Sequence, residues 1–127
     1  MTNPRNDSWQ AMMQAVQGFH DKHGFKENGG EELNYRVALM AEELGEISAC
    51  VTKGKPLNEL SEEVADLLIL LMGTDIAAGF DLNEAFWAKM DKLMQRKARM
   101  VNGRVRVSEF RGMDNSAAET DEGSDST

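Results

Sequence analysis

Apolar residues return at steps of three and four from Trp9 through Met12, Met13 and Val16 to Phe19. That spacing predicts an amphipathic helix running to about Gly24, with Ser8 as its N-cap. A polar, glycine-rich stretch from Gly24 to Gly30 then breaks the pattern. A second helix is predicted from about Glu31 to Thr52. Its Leu33, Val37, Met40, Leu44, Ile47 and Val51 fall in one narrow sector and read as the packing stripe. Gly54 and Pro56 end it. A third helix, capped by Asn58, reaches Gly79, and its centre from Leu67 to Met72 is apolar on every side. Such a helix has to be covered all round, and in so short a chain this predicts a subunit interface over part of it. Asp81 and Glu84 form a capping-box-like start to a fourth helix, whose stripe is Leu82, Phe86, Met90 and Leu93. Asn102-Gly103 between alternating apolar residues signals a hairpin, or else an ordered loop. The pattern as a whole predicts an all-α chain: an oligomeric, antiparallel four-helix bundle with a short C-terminal hairpin or loop. Residues 8–112 form its one domain, and residues 113–127, with almost nothing to bury, form a disordered acidic tail.

Two runs of acid interrupt this pattern, Glu42-Glu43-x-x-Glu46 and Glu62-Glu63-x-x-Asp66. A solvated face would place acids opposite the apolar stripe. Glu43, however, lies about 60° from Met40 on the helical wheel, and Glu46 about 120°. Glu63 and Asp66 share one strip of the third helix, while Glu62 reads as a solvated neighbour. The short link between the helices makes them antiparallel neighbours, so the acids can face one another. Converging carboxylates need a partner, because an unpaired buried charge is costly. A hard divalent cation such as Mg²⁺ is the simplest one.

On the fourth helix Lys89, Lys92, Arg96 and Arg99 recur at steps of three, four and three, which predicts four cations stacked along one edge. Alone, that edge reads as a solvated basic face. Beside an acidic metal site it suits the outer phosphates of a metal-bound polyphosphate.

Composition narrows the field further. The 127 residues carry a formal charge of -8, which argues against nucleic acid or an anionic membrane as partner. Part of that charge is local: five of the 22 acids fall between Asp114 and Thr127, which has no base, leaving 17 acids against 14 bases elsewhere. Few β-branched runs speak against a sandwich or barrel. The single cysteine, Cys50, forms no internal disulfide and reads as structural, which suits a reducing cytoplasm. The first residues lack the apolar core of a signal peptide, and no apolar run is long enough for a membrane span.

The two acidic runs, with sixteen residues between Glu46 and Glu63, resemble the EExxE…ExxD signature of the MazG-like, all-α nucleoside triphosphate pyrophosphatases. The helix order, the Gly79-Phe80-Asp81-Leu82 turn and the basic fourth helix extend the resemblance over roughly Trp9 to Gly112. It implies that Glu43, Glu46, Glu63 and Asp66 bind Mg²⁺, with Mn²⁺ as a substitute, and that Glu42 assists. It also implies cleavage of the α–β bond of a nucleoside triphosphate to monophosphate and pyrophosphate, in a homodimer or homotetramer that cleans the nucleotide pool. Lys89, Lys92 and Arg96 match the positions that hold phosphates in the family, although Leu93 and Gln95 stand where the family often has an asparagine. Glu42 or Glu46, being less committed to the metal, is the candidate to orient the attacking water.

Two other readings fit the same residues. One is the related activity on phosphoribosyl-ATP. The other is a non-enzymatic helical module whose acids pair with the basic stripe of a neighbouring subunit. A di-iron bundle is disfavoured, because neither His20 nor His23 sits in a Glu-x-x-His spacing. Base specificity is expected to arise in the first helix and the loop around Phe25 and Asn28.

Overall fold

The computed structural model describes residues 8–107; the acidic tail expected at 113–127 lies outside them. The order of elements is α1 (Trp9–Lys22), α2 (Leu33–Thr52), α3 (Leu57–Ala78), α4 (Leu82–Gln95), β1 (Ala98–Val101) and β2 (Arg104–Val107). They divide into two compact units between Leu82 and Asn83.

In the first unit α2 and α3 pack against each other and α1 packs on α3. α1 starts where Ser8 accepts the Ala11 N–H at 3.2 Å, the cap read from the sequence. Moving forward along α2 means moving backward along α3. Arg36 reaches Leu70 and Thr74, whereas Glu43, seven residues later, meets Glu63 and Asp66. The pair is therefore antiparallel, as the four-residue link from Lys53 to Pro56 requires. Asn58 is not the cap of α3. The extended Pro56, at φ -59° and ψ 151°, precedes the first helical residue, Leu57, and leaves Asn58 one position inside. Proline suits that boundary, since its fixed φ and missing N–H cost nothing there.

At its other end α3 stops at Gly79, whose φ of 79° is the left-handed conformation a glycine adopts freely. Asp75 shapes the turn that follows. Its backbone carbonyl accepts the Gly79 N–H, and its carboxylate accepts the Leu82 N–H at 2.7 Å, holding the first residue of α4. Among the described residues, no helix is long and apolar enough to cross a membrane.

The second unit holds α4 and a two-stranded antiparallel sheet in which Val101 pairs with Arg104. Asn102 and Gly103, at φ 52° and 78°, supply the two left-handed residues of a type I′ turn, so the Asn-Gly signal makes a hairpin. The hairpin also shortens the basic edge. α4 ends at Gln95 because the chain must be extended by Ala98. Only Lys89 and Lys92 lie on the helix; Arg96 follows its last residue and Arg99 is on β1, so four cations do not stack on one helical edge.

The buried centre of the first unit is partly polar. Arg36 and His20 are 1% and 2% exposed, alongside Val16, Cys50 and Met72. Arg36 donates from Nε to Thr74 Oγ1 (3.1 Å), from Nη1 to the Gly30 carbonyl (3.1 Å) and from Nη2 to the Leu70 carbonyl (2.7 Å). Three charge-assisted bonds compensate a guanidinium withdrawn from water and tie α2 to α3 and to the loop before α2. Burial lowers its pKa from the ordinary value, opposed by the charge of Glu31. Glu31 in turn sets Oε2 2.9 Å from His20 Nδ1. His20 is thus a satisfied core histidine.

Candidate metal centre and the adjoining cleft

Helical spacing delivers one carboxyl from α2 and two from α3 to the seam between them. Glu43 lies seven residues after Arg36, and so on the same inward face, while Glu63 and Asp66 are one turn apart. One oxygen of each of Glu43, Glu63 and Asp66 lies within 4.8 Å of the others. Oxygens coordinating Mg²⁺ at about 2.1 Å sit about 3–4 Å apart, so this spacing suits a small, hard cation.

The electrostatics point the same way. The Glu43 carboxyl is pushed up to about 7, first by loss of water, then by the Glu63 carboxyl against it and the charges of Asp66, Glu63 and Glu46. Its Oε1 is buried and makes no hydrogen bond. A buried acceptor left without a donor costs roughly 1–3 kcal/mol. The donor set is entirely carboxylate oxygen, and no described histidine or cysteine joins it, which fits a hard divalent cation and not a soft one.

The remaining acids are placed differently. Glu46, one turn beyond Glu43 and exposed, is outside the group of three but close enough for its charge to act on Glu43. Glu42 and Glu62 are exposed. Lys89, Lys92 and Arg96 belong to the second unit; Lys89 and Lys92 are exposed and Arg96 is half-buried.

Beside the acids opens a cleft of about 700 Å³. Glu43 and Asp66 form its polar part, and its walls are otherwise apolar, with Met12, Phe19, Phe25 and Leu39 among them. The volume is that of a small-molecule site. Phe25 is held there by its own loop, 5.1 Å from the Phe19 ring and 4.6 Å from His20 between centroids. Gly30 allows this, since a Cβ on it would run into the Phe25 ring. In the same loop Asn28 donates to the Gly24 carbonyl at 2.8 Å and closes the loop on itself.

One consequence concerns pH. Glu43 has a folded pKa above its ordinary 4.5, so its contribution to the metal-free fold is fully present below about 4.5 and lost as pH rises through about 7. Thermal melts in chelator, read as wild type minus Glu43→Gln, should therefore fall steadily from pH 5 to pH 8. A flat difference would show that the carboxyl is solvated.

The model of the MazG nucleotide pyrophosphohydrolase domain matches residues 32–101, which takes in both acidic runs, all of α2, α3 and α4, and β1, but not α1. Neither the curated proteins nor the solved structures contain a match. Since that match covers more than half of the 127 residues, the chain belongs to the MazG nucleotide pyrophosphohydrolase domain family.

Proposed function

We propose that this domain hydrolyses nucleoside or deoxynucleoside triphosphates between the α and β phosphates, in a Mg²⁺-dependent reaction that clears unwanted nucleotides from the pool. The observation that carries this reading is the Glu43–Glu63–Asp66 group, with its orphaned Glu43 Oε1, at the end of an apolar cleft with aromatic walls. A divalent cation held by those carboxylates would neutralise phosphate charge and acidify a water molecule.

The chain's own residues supply the rest. Glu43, Glu63 and Asp66 hold the cation and Glu46 completes the set. Glu46 or Glu42, both exposed, accepts the proton of the attacking water. Phe19 and Phe25 offer ring faces and edges to a nucleobase, and the apolar wall excludes water from it. Lys89, Lys92 and Arg96 are assigned the phosphate charge on the family resemblance. Pyrophosphate leaves by a displacement that uses no protein nucleophile, so positioning and charge do the catalytic work.

A panel of ordinary and deoxy triphosphates, together with phosphoribosyl-ATP, assayed with Mg²⁺ for both products, tests the proposal. Monophosphate and pyrophosphate should appear in equal amounts, with a strong preference among bases. Release of orthophosphate, or turnover undiminished by chelator, would overturn it.

A further inference from the structure

Apart from Glu43 and Asp66, none of the described side chains that line the cleft carries an N–H or O–H group. A ligand's ring inside it is therefore chosen by fit and ring contact, and the place of the Phe25 ring decides that fit. Phe25 belongs to a loop with little stiffness of its own, since Gly24, Gly29 and Gly30 lie within it. Its backbone is pinned on both sides: its N–H donates to the His20 carbonyl at 3.0 Å, and its carbonyl accepts the Gly30 N–H at 2.7 Å. The ring is held by something else. It leans at 36° against the imidazole of His20, which does not itself line the cleft. That imidazole has little freedom to turn. Its Nδ1 donates to Glu31 Oε2 at 2.9 Å, since a carboxylate can only accept, and its Nε2 lies over Gly73, which has no Cβ to meet it. A phenyl ring would fill the same buried space without withdrawing a polar group from water, but nothing would fix its plane.

We propose that His20 and Glu31 are positioning residues for base selection: their hydrogen bond sets the plane of the imidazole, and the imidazole sets the Phe25 ring against which a nucleobase packs. The proposal rests on the reading of the cleft as a nucleotide site. Two observations separate it from a role in holding the fold together. The loop is already tied to α1 by the Phe25 N–H bond to His20, and to α2 by Arg36 Nη1 on the Gly30 carbonyl. The side-chain pair therefore adds no connection between elements; it adds orientation. The second is placement. His20, Phe25 and Glu31 all precede residue 32, where the family match begins, so the device stands apart from the matched acids and can set selectivity without altering them. A misplacement of about 1 Å at such a wall is enough to cost up to about 100-fold, whereas an apolar pocket distinguishes similar ligands by only about 10–200-fold.

The test uses the full chain with Mg²⁺ and the α,β-methylene triphosphates of the common bases, whose binding reads selection without chemistry. In the wild type the Kd values should spread by about 10-fold or more with the base. His20→Phe, which keeps a ring and loses the bond, and Glu31→Ala should each compress that spread at least about fivefold. Glu31→Gln, whose amide oxygen still accepts from Nδ1, should keep it. Mg²⁺ affinity should stay unchanged in all three. With hydrolysable triphosphates, KM for the best base should rise in His20→Phe and Glu31→Ala while kcat stays within about twofold. Once Phe25→Ala has removed the ring, adding Glu31→Ala should compress the spread no further, a coupling that general destabilisation would not produce. Should His20→Phe fail to fold, Glu31→Ala decides. An undiminished spread in Glu31→Ala, an equal compression by Glu31→Gln, or a further loss on top of Phe25→Ala would overturn this inference and leave the proposed reaction standing. A wild type that binds the analogues with base preference and hydrolyses no triphosphate would overturn the reaction alone, and the same Kd ratios would still decide the role of the pair. Absence of any analogue binding would overturn both.

Discussion

Glu43→Gln should lower the rate of pyrophosphate release by at least about 100-fold, the scale of loss when even an outer partner of a metal ligand is removed. The same substitution should raise the melting temperature of the metal-free protein. The two effects have one cause. Glu43 faces Glu63 and Asp66 with a buried oxygen that makes no hydrogen bond among the described residues, so without a cation its ionised form opposes folding. Glutamine keeps the shape, removes the charge and offers an N–H₂ to the neighbouring carboxylates. Added Mg²⁺ should stabilise the wild type by binding only the folded form, and stabilise the variant much less. Activity lost with stability gained is a signature that a merely structural carboxylate would not give, since its replacement would lower both. A Glu43→Gln protein that releases pyrophosphate at the wild-type rate would remove Glu43 from the site.

Much of that centre was legible in the sequence, because a carboxylate on the apolar side of a helix is a local conflict that spacing alone exposes. Glu43, Glu63 and Asp66 converge as their places on the wheel require. Arg36 is as deeply placed, yet the pattern does not single it out. It sits seven residues before Glu43, on the same inward face, but Glu31 and Glu32 close by in sequence let it read as an ordinary surface pair, whereas its hydrogen-bond acceptors are two backbone carbonyls and a threonine, which spacing does not reveal. The apolar row of α2, whose Val37, Leu44 and Val51 stand exposed, shows a different limit. Periodicity says that one face of a helix is buried, and leaves open whether the same chain or another copy covers it. The basic edge ends early for a third reason: charge spacing continues past Gln95, whereas the helix gives way to a strand that the Asn-Gly turn demands.

Gly73 is the position where local propensity and packing disagree most. In the middle of a helix, alanine in place of glycine usually stabilises by about 0.5–1 kcal/mol, because the unfolded chain loses freedom. At Gly73 the sign should reverse. It is buried in α3, and a Cβ there would fall on Arg36 Nη2 and the His20 ring. Neither can yield cheaply. Nη2 is held by the Leu70 carbonyl at 2.7 Å, and the ring by Glu31 on one side and Phe25 on the other. Displacing the guanidinium leaves a buried charge without its acceptors, a disruption worth about 3–5 kcal/mol. Gly73→Ala should thus lower the melting temperature by more than about 10 °C, given the few degrees per kcal/mol of a domain this size. Gly18→Ala is the matched control, since Gly18 is exposed on α1 and a Cβ there meets nothing within 4 Å. It should raise the melting temperature by a few degrees. Equal and positive shifts at the two sites would mean that Arg36 and His20 do not close over α3, and that a polar core is not what joins α1 and α2 to it.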